Sequence, residues 1–192
     1  MRKSNAATSD HDIVLSRLRE KAKLKKAHRQ MLHLFIISST LIFFTLAFVW
    51  LVHSAPKISI PAVYHWNIPI IIGTSIVIYL AQKRILNHEI EKAFQLVKIA
   101  LGLGILFGVI QVLGWQELLA ANRLIRNILF PFSVIHLAHV IIGIVLLSVV
   151  LWRLRDFKIH SKAKGFAWNV SRFWHFLGAA WLAFLLLVFI TS

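Results

Sequence analysis

The chain has 192 residues, no cysteine and a formal charge of +15, yet 58% of its residues are hydrophobic and its mean hydropathy is +0.74. That combination describes an integral membrane protein with basic flanks, and it excludes disulfides, thiolate metal sites and cysteine nucleophiles. Serine hydrolase motifs, phosphate-binding loops and zinc signatures are missing as well.

The first thirty residues are polar and basic. Within them DIVLSRLREKAKLKKAHRQ, with Ser9 or Asp10 as a possible cap, reads either as a basic helix on an anionic lipid surface or as a solvated tail. Five apolar runs of spanning length follow, and they predict helices over Leu32–Val52, Ile60–Gln82, Ala93–Leu113, Ile128–Trp152 and Phe173–Ile190. The first run begins after a long cationic stretch and is long enough to stay in the bilayer, so we expect an uncleaved anchor. Pro69 and Pro131 fall early in the second and fourth runs, where a helix tolerates proline best. The expected fold is all-α, a polytopic five-helix membrane bundle over 32–192 preceded by a cytoplasmic tail over 1–31. No internal repeat or low-complexity linker interrupts it, and little chain remains for a soluble catalytic module.

The cations alternate between loops. They crowd the tail from Arg2 to Arg29, the loop around Lys83, Arg84 and Lys92, and the stretch from Arg153 to Arg172, while the other two loops hold only Lys57, Arg123 and Arg126. By the positive-inside rule this places the N-terminus in the cytoplasm and the C-terminus outside. Orientation therefore accounts for most of the charge, and no nucleic-acid-binding fold accompanies it. All seven acidic residues, Asp10, Asp12, Glu20, Glu89, Glu91, Glu117 and Asp156, lie in tails, in loops or just beyond the expected spans. An intramembrane carboxylate is the usual mark of a proton relay or ion pathway, so a self-contained pump or cation transporter is not expected. Discontinuous Gly/Pro-broken helices in matching halves, the mark of many secondary transporters, are not evident either.

Inside the spans, polar and small residues recur at helical spacing. Gly104, Gly108, Gln111 and Trp115 form one stripe; Ser133, His136, His139 and Gly143 form another; Trp174, His175, Gly178 and Trp181 cluster on adjoining faces. Glycines let backbones approach, and imidazole or amide groups hydrogen-bond across the contact. The competing use of such histidines is haem ligation, as in membrane b-type cytochromes. At a rise of ~1.5 Å per residue, His136 falls ~9 Å below the outer surface and His175 ~8 Å above the inner one, levels that do not suit one iron. His33 with His175, or His65 with His136, remains as a haem alternative to structural hydrogen bonding.

The chain from about Trp66 onward resembles subunit III of cytochrome c oxidase, of the haem-copper oxidase family. The residues that carry the resemblance are H-x-x-H-V-x-x-G at His136–Gly143, W-H-F at Trp174–Phe176 followed by Trp181, the stretch IQVLGWQE with Gln111 and Glu117, and the glycine-bearing LGLGILFG before it. Five spans match the shorter bacterial form of that subunit. The resemblance implies a non-catalytic subunit of the bacterial inner membrane with no catalytic, cofactor or metal residues of its own. Haem and copper would sit in partner chains, the catalytic subunit I and other oxidase subunits. It further implies packing on subunit I, bound phospholipid, and support of proton uptake and lasting turnover. Gln111, Glu117, His136, His139, Trp174, His175 and Trp181 are then structural polar or lipid-facing residues, and Gly104, Gly108, Gly143 and Gly178 are helix contacts. A related subunit associated with nitric oxide reductase fits the same motifs, and cytochrome c or quinol would serve equally as the donor to the complex.

Three departures from the family pattern stand out. Gly178 occupies a position where many members carry an acid, three residues after the W-H-F histidine. Gly114 stands where many have the first glutamate of a Q-x-x-E pattern, and the first span lacks the membrane glutamate of the seven-helix form. These losses remove the acids that direct proton-antenna chemistry would use and leave the scaffold role.

Overall fold

The computed structural model describes residues 2–52, 61–120, 129–155 and 161–191, all of them helical except Pro61 and the turn between the second and third long helices. The helices are α1 (Arg2–Val52), α2 (Asn67–Leu86), α3 (Ile90–Ala120), α4 (Leu129–Arg155) and α5 (Ser161–Thr191), with a 3-10 turn at Ala62–Trp66 leading into α2. Five candidate membrane spans lie within them, at Gln30–Val49, Ala62–Leu86, Ile90–Ala120, Leu129–Arg155 and Lys164–Ile190. The expected all-α, five-span class is therefore the observed one, and among the described residues there is no strand.

Several boundaries differ from expectation: α2 runs over Asn67–Leu86 and not Ile60–Gln82, α3 over Ile90–Ala120 and not Ala93–Leu113, and two helix starts differ further. Helix α1 is continuous from Arg2, so Ser9 and Asp10 lie inside it and neither is a cap. Helix α5 begins at Ser161, twelve residues before the expected span start at Phe173. Hydropathy fails there because the first turns are amphipathic. Ala167, Val170 and Ser171 are buried, while Trp168 and Arg172 on the other side are exposed. The Arg153 guanidinium lies 4.3 Å from the centre of the Phe166 ring, joining the end of α4 to the start of α5.

The chain divides into two compact units, 1–38 and 39–192. The first is a single helical segment that exposes Leu18, Met31, Leu34 and Ile37. In the second, α2 packs on α3, α3 on α4, α4 on α5 and α5 back on α2, a closed cycle of four helices. Each presents one buried stripe at helical spacing. On α2 it is Asn67, Ile71, Thr74, Ile78, Ala81 and Ile85. On α3 the stripe continues through Ala93, Val97, Ala100, Gly104, Phe107, Gln111, Gly114 and Leu118, which leaves Gly108 and Trp115 at its margin. Pro69 and Pro131 each occupy the third position of their helix, where no intrahelical partner is lost.

The turn between α2 and α3 is closed by backbone bonds from His88 N–H to Ile85 O at 3.4 Å and from Glu89 N–H to Arg84 O at 3.0 Å, the pairing of a Schellman motif. His88 takes the left-handed position at φ 62°, a conformation that histidine adopts more readily than most non-glycine residues. Glu89 then receives Arg84 Nη1 at 2.8 Å and Lys92 Nζ at 2.8 Å, so two cations of this basic loop are partly neutralised by one carboxylate.

Candidate functional site

Among the described residues of 39–192, several polar groups join helix to helix, with bonds between α1 and α4, α3 and α4, α4 and α5, and α5 and α2. His136, fully buried on α4, donates Nε2–H to the Leu177 carbonyl of α5 at 3.0 Å. A carbonyl only accepts, so the neutral imidazole carries its proton on Nε2 and leaves Nδ1 as an acceptor. Three residues on, His139 faces a different neighbour. Its Nδ1–H donates to Ile135 O at 2.7 Å within α4, and its Nε2 accepts from the Ser39 hydroxyl of α1 at 2.9 Å. The paired histidines thus serve adjoining faces of one helix, one towards the bundle centre and one towards α1.

Aromatic rings pack around His136. Trp181 lies 4.9 Å away between ring centres, Phe107 5.5 Å in an edge-on arrangement, and Phe43 6.0 Å. Trp181 in turn meets Tyr64 edge-on at 5.6 Å. The Tyr64 ring can enter because residue 114 is glycine: a Cβ there would sit deep inside the ring's van der Waals envelope. Helices α3 and α4 are joined by Trp115 Nε1–H to Ser133 Oγ at 2.7 Å, and that hydroxyl donates onward to Phe130 O at 2.8 Å. Glu117, exposed at the end of α3, accepts the Ala62 N–H at 3.1 Å and so anchors the turn that opens α2.

Three of the predicted positions, Gly104, Gly143 and Trp174, meet in one interlock. The Trp174 indole of α5 lies in a notch between Gly104 of α3 and Gly143 of α4. A Cβ on Gly104 would stand 2.7 Å from Trp174 Cη2, and one on Gly143 would stand 2.8 Å from Cζ3. Gly178 receives Ile71 of α2, whose Cγ2 would lie 3.0 Å from an added Cβ. Gly108 is not crowded, with Leu137 Cδ1 at an ordinary 3.5 Å. His175 is half-buried beside this interlock, and His65 turns its Nδ1 back to Ala62 O at 3.1 Å.

Several contributors were not singled out by sequence reasoning: Ser39, Phe43, Tyr64, Asn67, Thr74 and Ser171. For Asn67 and Thr74 a signal existed, since they continue the Ile71 and Ile78 stripe of α2 at helical spacing. Ser171 donates to Gln82 Oε1 at 2.9 Å, a link between α5 and α2 that spans 89 residues and leaves no local trace.

Neither His136 nor His139 has a free Nε2, the arrangement expected of helix-joining residues and not of axial haem ligands. Among the described residues no group of three or more His, Cys, Asp or Glu is placed to hold a metal ion. An apolar groove of about 390 Å³ runs between α1, α4 and α5, lined by Phe43, Phe44, Phe48, Phe132, Phe176 and Phe184 among others. Phe132 and Phe184 stack at its wall with ring centres 3.5 Å apart.

These features define a multi-pass, all-helical membrane protein in which several buried polar groups bond one helix to another. Two proteins of known name are similar to it across much of its length. Cytochrome c oxidase subunit 3 of Xenopus laevis is 25% identical over 179 residues, covering 83% of this chain and 67% of that protein. Cytochrome c oxidase subunit 3 of Synechocystis sp. is 27% identical over 128 residues, covering 65% of this chain and 54% of that protein. The chain thus spans about two thirds of the length of one relative and about half of the other. No family model matches the sequence. The two similarities support membership of the chain in the haem-copper oxidase subunit III family.

Proposed function

We propose that this chain is the accessory subunit III of a haem-copper terminal oxidase in the bacterial inner membrane, in its short five-helix form. It packs on the catalytic subunit I beside the other oxidase subunits, which hold the haem and copper. Its N-terminus and the basic tail over 1–31 face the cytoplasm, following the alternation of cations between loops. The observation that carries the reading is the use made of the subunit III-like motifs within the bundle: His136 and His139 bond to α5 and α1, Trp174 fills the Gly104–Gly143 notch, and Trp181 packs its ring on His136 and Tyr64. A chain built this way braces its partner and leaves the redox step to it.

The groove between α1, α4 and α5 supports the lipid part of the proposal. Its walls are phenylalanine and small side chains, and its volume suits acyl chains better than a polar ligand. The basic tail and the loop at Lys83 and Arg84 add attraction for anionic headgroups. Proton uptake would be supported indirectly, through retained lipid and the surface charge near its entrance.

Two measurements test this. After extraction in mild detergent, the chain should co-purify with subunits that carry haem and copper, and phospholipid should remain bound. Oxygen uptake should then be followed over successive turnovers with and without the chain. The enzyme stripped of it keeps its metal centres and most of its initial rate, inactivates sooner and pumps less well at alkaline pH. A chain purified without such partners, an immediate and complete loss of activity with intact metals, or an unchanged lifetime would each defeat the proposal.

A further inference from the structure

The buried polar atoms of the bundle are unevenly distributed. The half containing the ends of α2 and α3 joined by their short turn is an apolar cluster of Ile78, Ala81, Ile85, Val97, Leu147 and Val150 among others, crossed by the Ser171–Gln82 link. The opposite half contains Asn67, Gln111, His136 and Trp181. There, among the described residues, the side-chain amides of Asn67 and Gln111, His136 Nδ1 and Trp181 Nε1 are all buried with no hydrogen-bond partner in the protein. Six orphaned atoms on four helices would cost the bundle about 1–3 kcal/mol each if they stayed dry. Native interiors do not leave such groups unpaired; they pair them with water when space allows.

Space exists at one defined point. A cavity of about 20 Å³ lies where the four helices meet, lined by Thr74 of α2, Gly104 and Phe107 of α3, His136 and Val140 of α4, and Trp174, Leu177 and Gly178 of α5. That exceeds the ~10–15 Å³ a single water needs and is far too small for a lipid chain. Its two polar neighbours also have the right chemistry. Thr74 Oγ1 donates its proton to Ile70 O at 2.6 Å, which leaves the hydroxyl oxygen as an acceptor. His136 Nδ1 is an acceptor because Nε2–H is committed to Leu177 O. Two acceptors across a one-molecule cavity call for a ligand that donates two protons.

We propose that a single water occupies this cavity and donates to His136 Nδ1 and Thr74 Oγ1. The water completes the bonding of the imidazole and fixes its tautomer, so that Nε2–H stays on α5.

The test is a structure of the chain, with whatever subunits accompany it in a lipid nanodisc, at a resolution that shows ordered water. A peak within ~2.7–3.2 Å of both His136 Nδ1 and Thr74 Oγ1 is expected. An empty cavity, or a His136 Nδ1 bonded directly to protein, overturns the proposal. Infrared difference spectra supply a measurement that does not depend on resolution. A water O–H stretching component that shifts in oxygen-18 water should be present in the wild type, retained in Thr74→Ser and lost in the isosteric Thr74→Val. Its absence from the wild type, or its persistence in Thr74→Val, contradicts the assignment.

Discussion

The Trp174 interlock gives a sharp test of how the bundle is held, because the indole is gripped from two sides. Gly104→Ala places a methyl 2.7 Å from Trp174 Cη2 and 3.0 Å from Cζ2, closer than carbon atoms pack. The ring cannot slide away, since Gly143 on the other wall already lies where a Cβ would be 2.8 Å from Cζ3. Relief requires α3 to move off α5 or the indole to leave its notch. Overpacking of this kind typically costs about 1–3 kcal/mol, against a helix-propensity gain of at most about 1 kcal/mol for alanine over glycine. We expect Gly104→Ala to be destabilising by about 1–2 kcal/mol net, with Gly143→Ala similar.

Gly108→Ala is the internal control. It lies on the same helix and faces only Leu137 Cδ1 at 3.5 Å, so it should be neutral or mildly stabilising. The decisive comparison is a double-mutant cycle with Trp174→Phe, which removes the far ring atoms that the new methyl would strike. In that background Gly104→Ala should lose most of its cost, giving a coupling of about 1–2 kcal/mol. Reversible unfolding in mixed micelles, or thermal melting of the detergent-solubilised chain at fixed lipid content, reads the difference. An equal cost in both backgrounds would mean that the glycine serves something other than the indole.

The remaining predictions concern single polar contacts. His139→Ala should weaken the bundle by about 0.6–1.7 kcal/mol by releasing Ser39, and Ser39→Ala should do the same without further loss in the double variant; thermal melting of the four proteins checks this. His136→Ala should cost up to about 2 kcal/mol or somewhat more, because it also empties a ring-lined site, yet leave the visible spectrum of an assembled oxidase unchanged. Lys92 first and Arg84 second hold the Glu89 carboxyl below its ordinary value of 4.5. A depressed carboxylate contributes stability that is present above its unfolded value and lost as pH falls through the folded one, so acidification into and below the carboxylate range should loosen the α2–α3 turn. Hydrogen exchange at Asn87–Glu89 should show that dependence, and Glu89→Gln should abolish it. Gly114→Gln alone should fail to accumulate in the membrane, and Tyr64→Ala should restore it by vacating the space the new side chain needs; membrane-fraction immunoblots distinguish the two.

Much of the architecture was readable from the residues because its causes are local. Five apolar runs of spanning length give five helices, since an unpaired backbone in lipid leaves few alternatives. The stripe of α4 was legible too: Ser133, His136 and Gly143 are buried, and His139 lies at the edge of that face. What the sequence did not disclose was pairing. Nothing in SVIHLAHV says that one imidazole faces α5 and its neighbour faces α1, because that depends on where α1 lies beside α4. The start of α5 was hidden for a different reason: a mean over a basic segment averages away a narrow buried edge formed by Ala167 and Val170.

The departures from the subunit III pattern acquire a physical cause at this level. Gly114 and Gly178 stand where many members of that family carry acids, and at both positions the missing side chain is replaced by one from the second span. Tyr64 fills the space at Gly114, and Ile71 closes on Gly178. An acid at residue 114 would collide with a tyrosine held by Trp181 and by a long bond, 3.4 Å, to Gln111 O. An acid at residue 178 would have to part α5 from α2. The two losses are therefore coupled to one feature, the close approach of the turn and helix over 61–86 to the rest of the bundle.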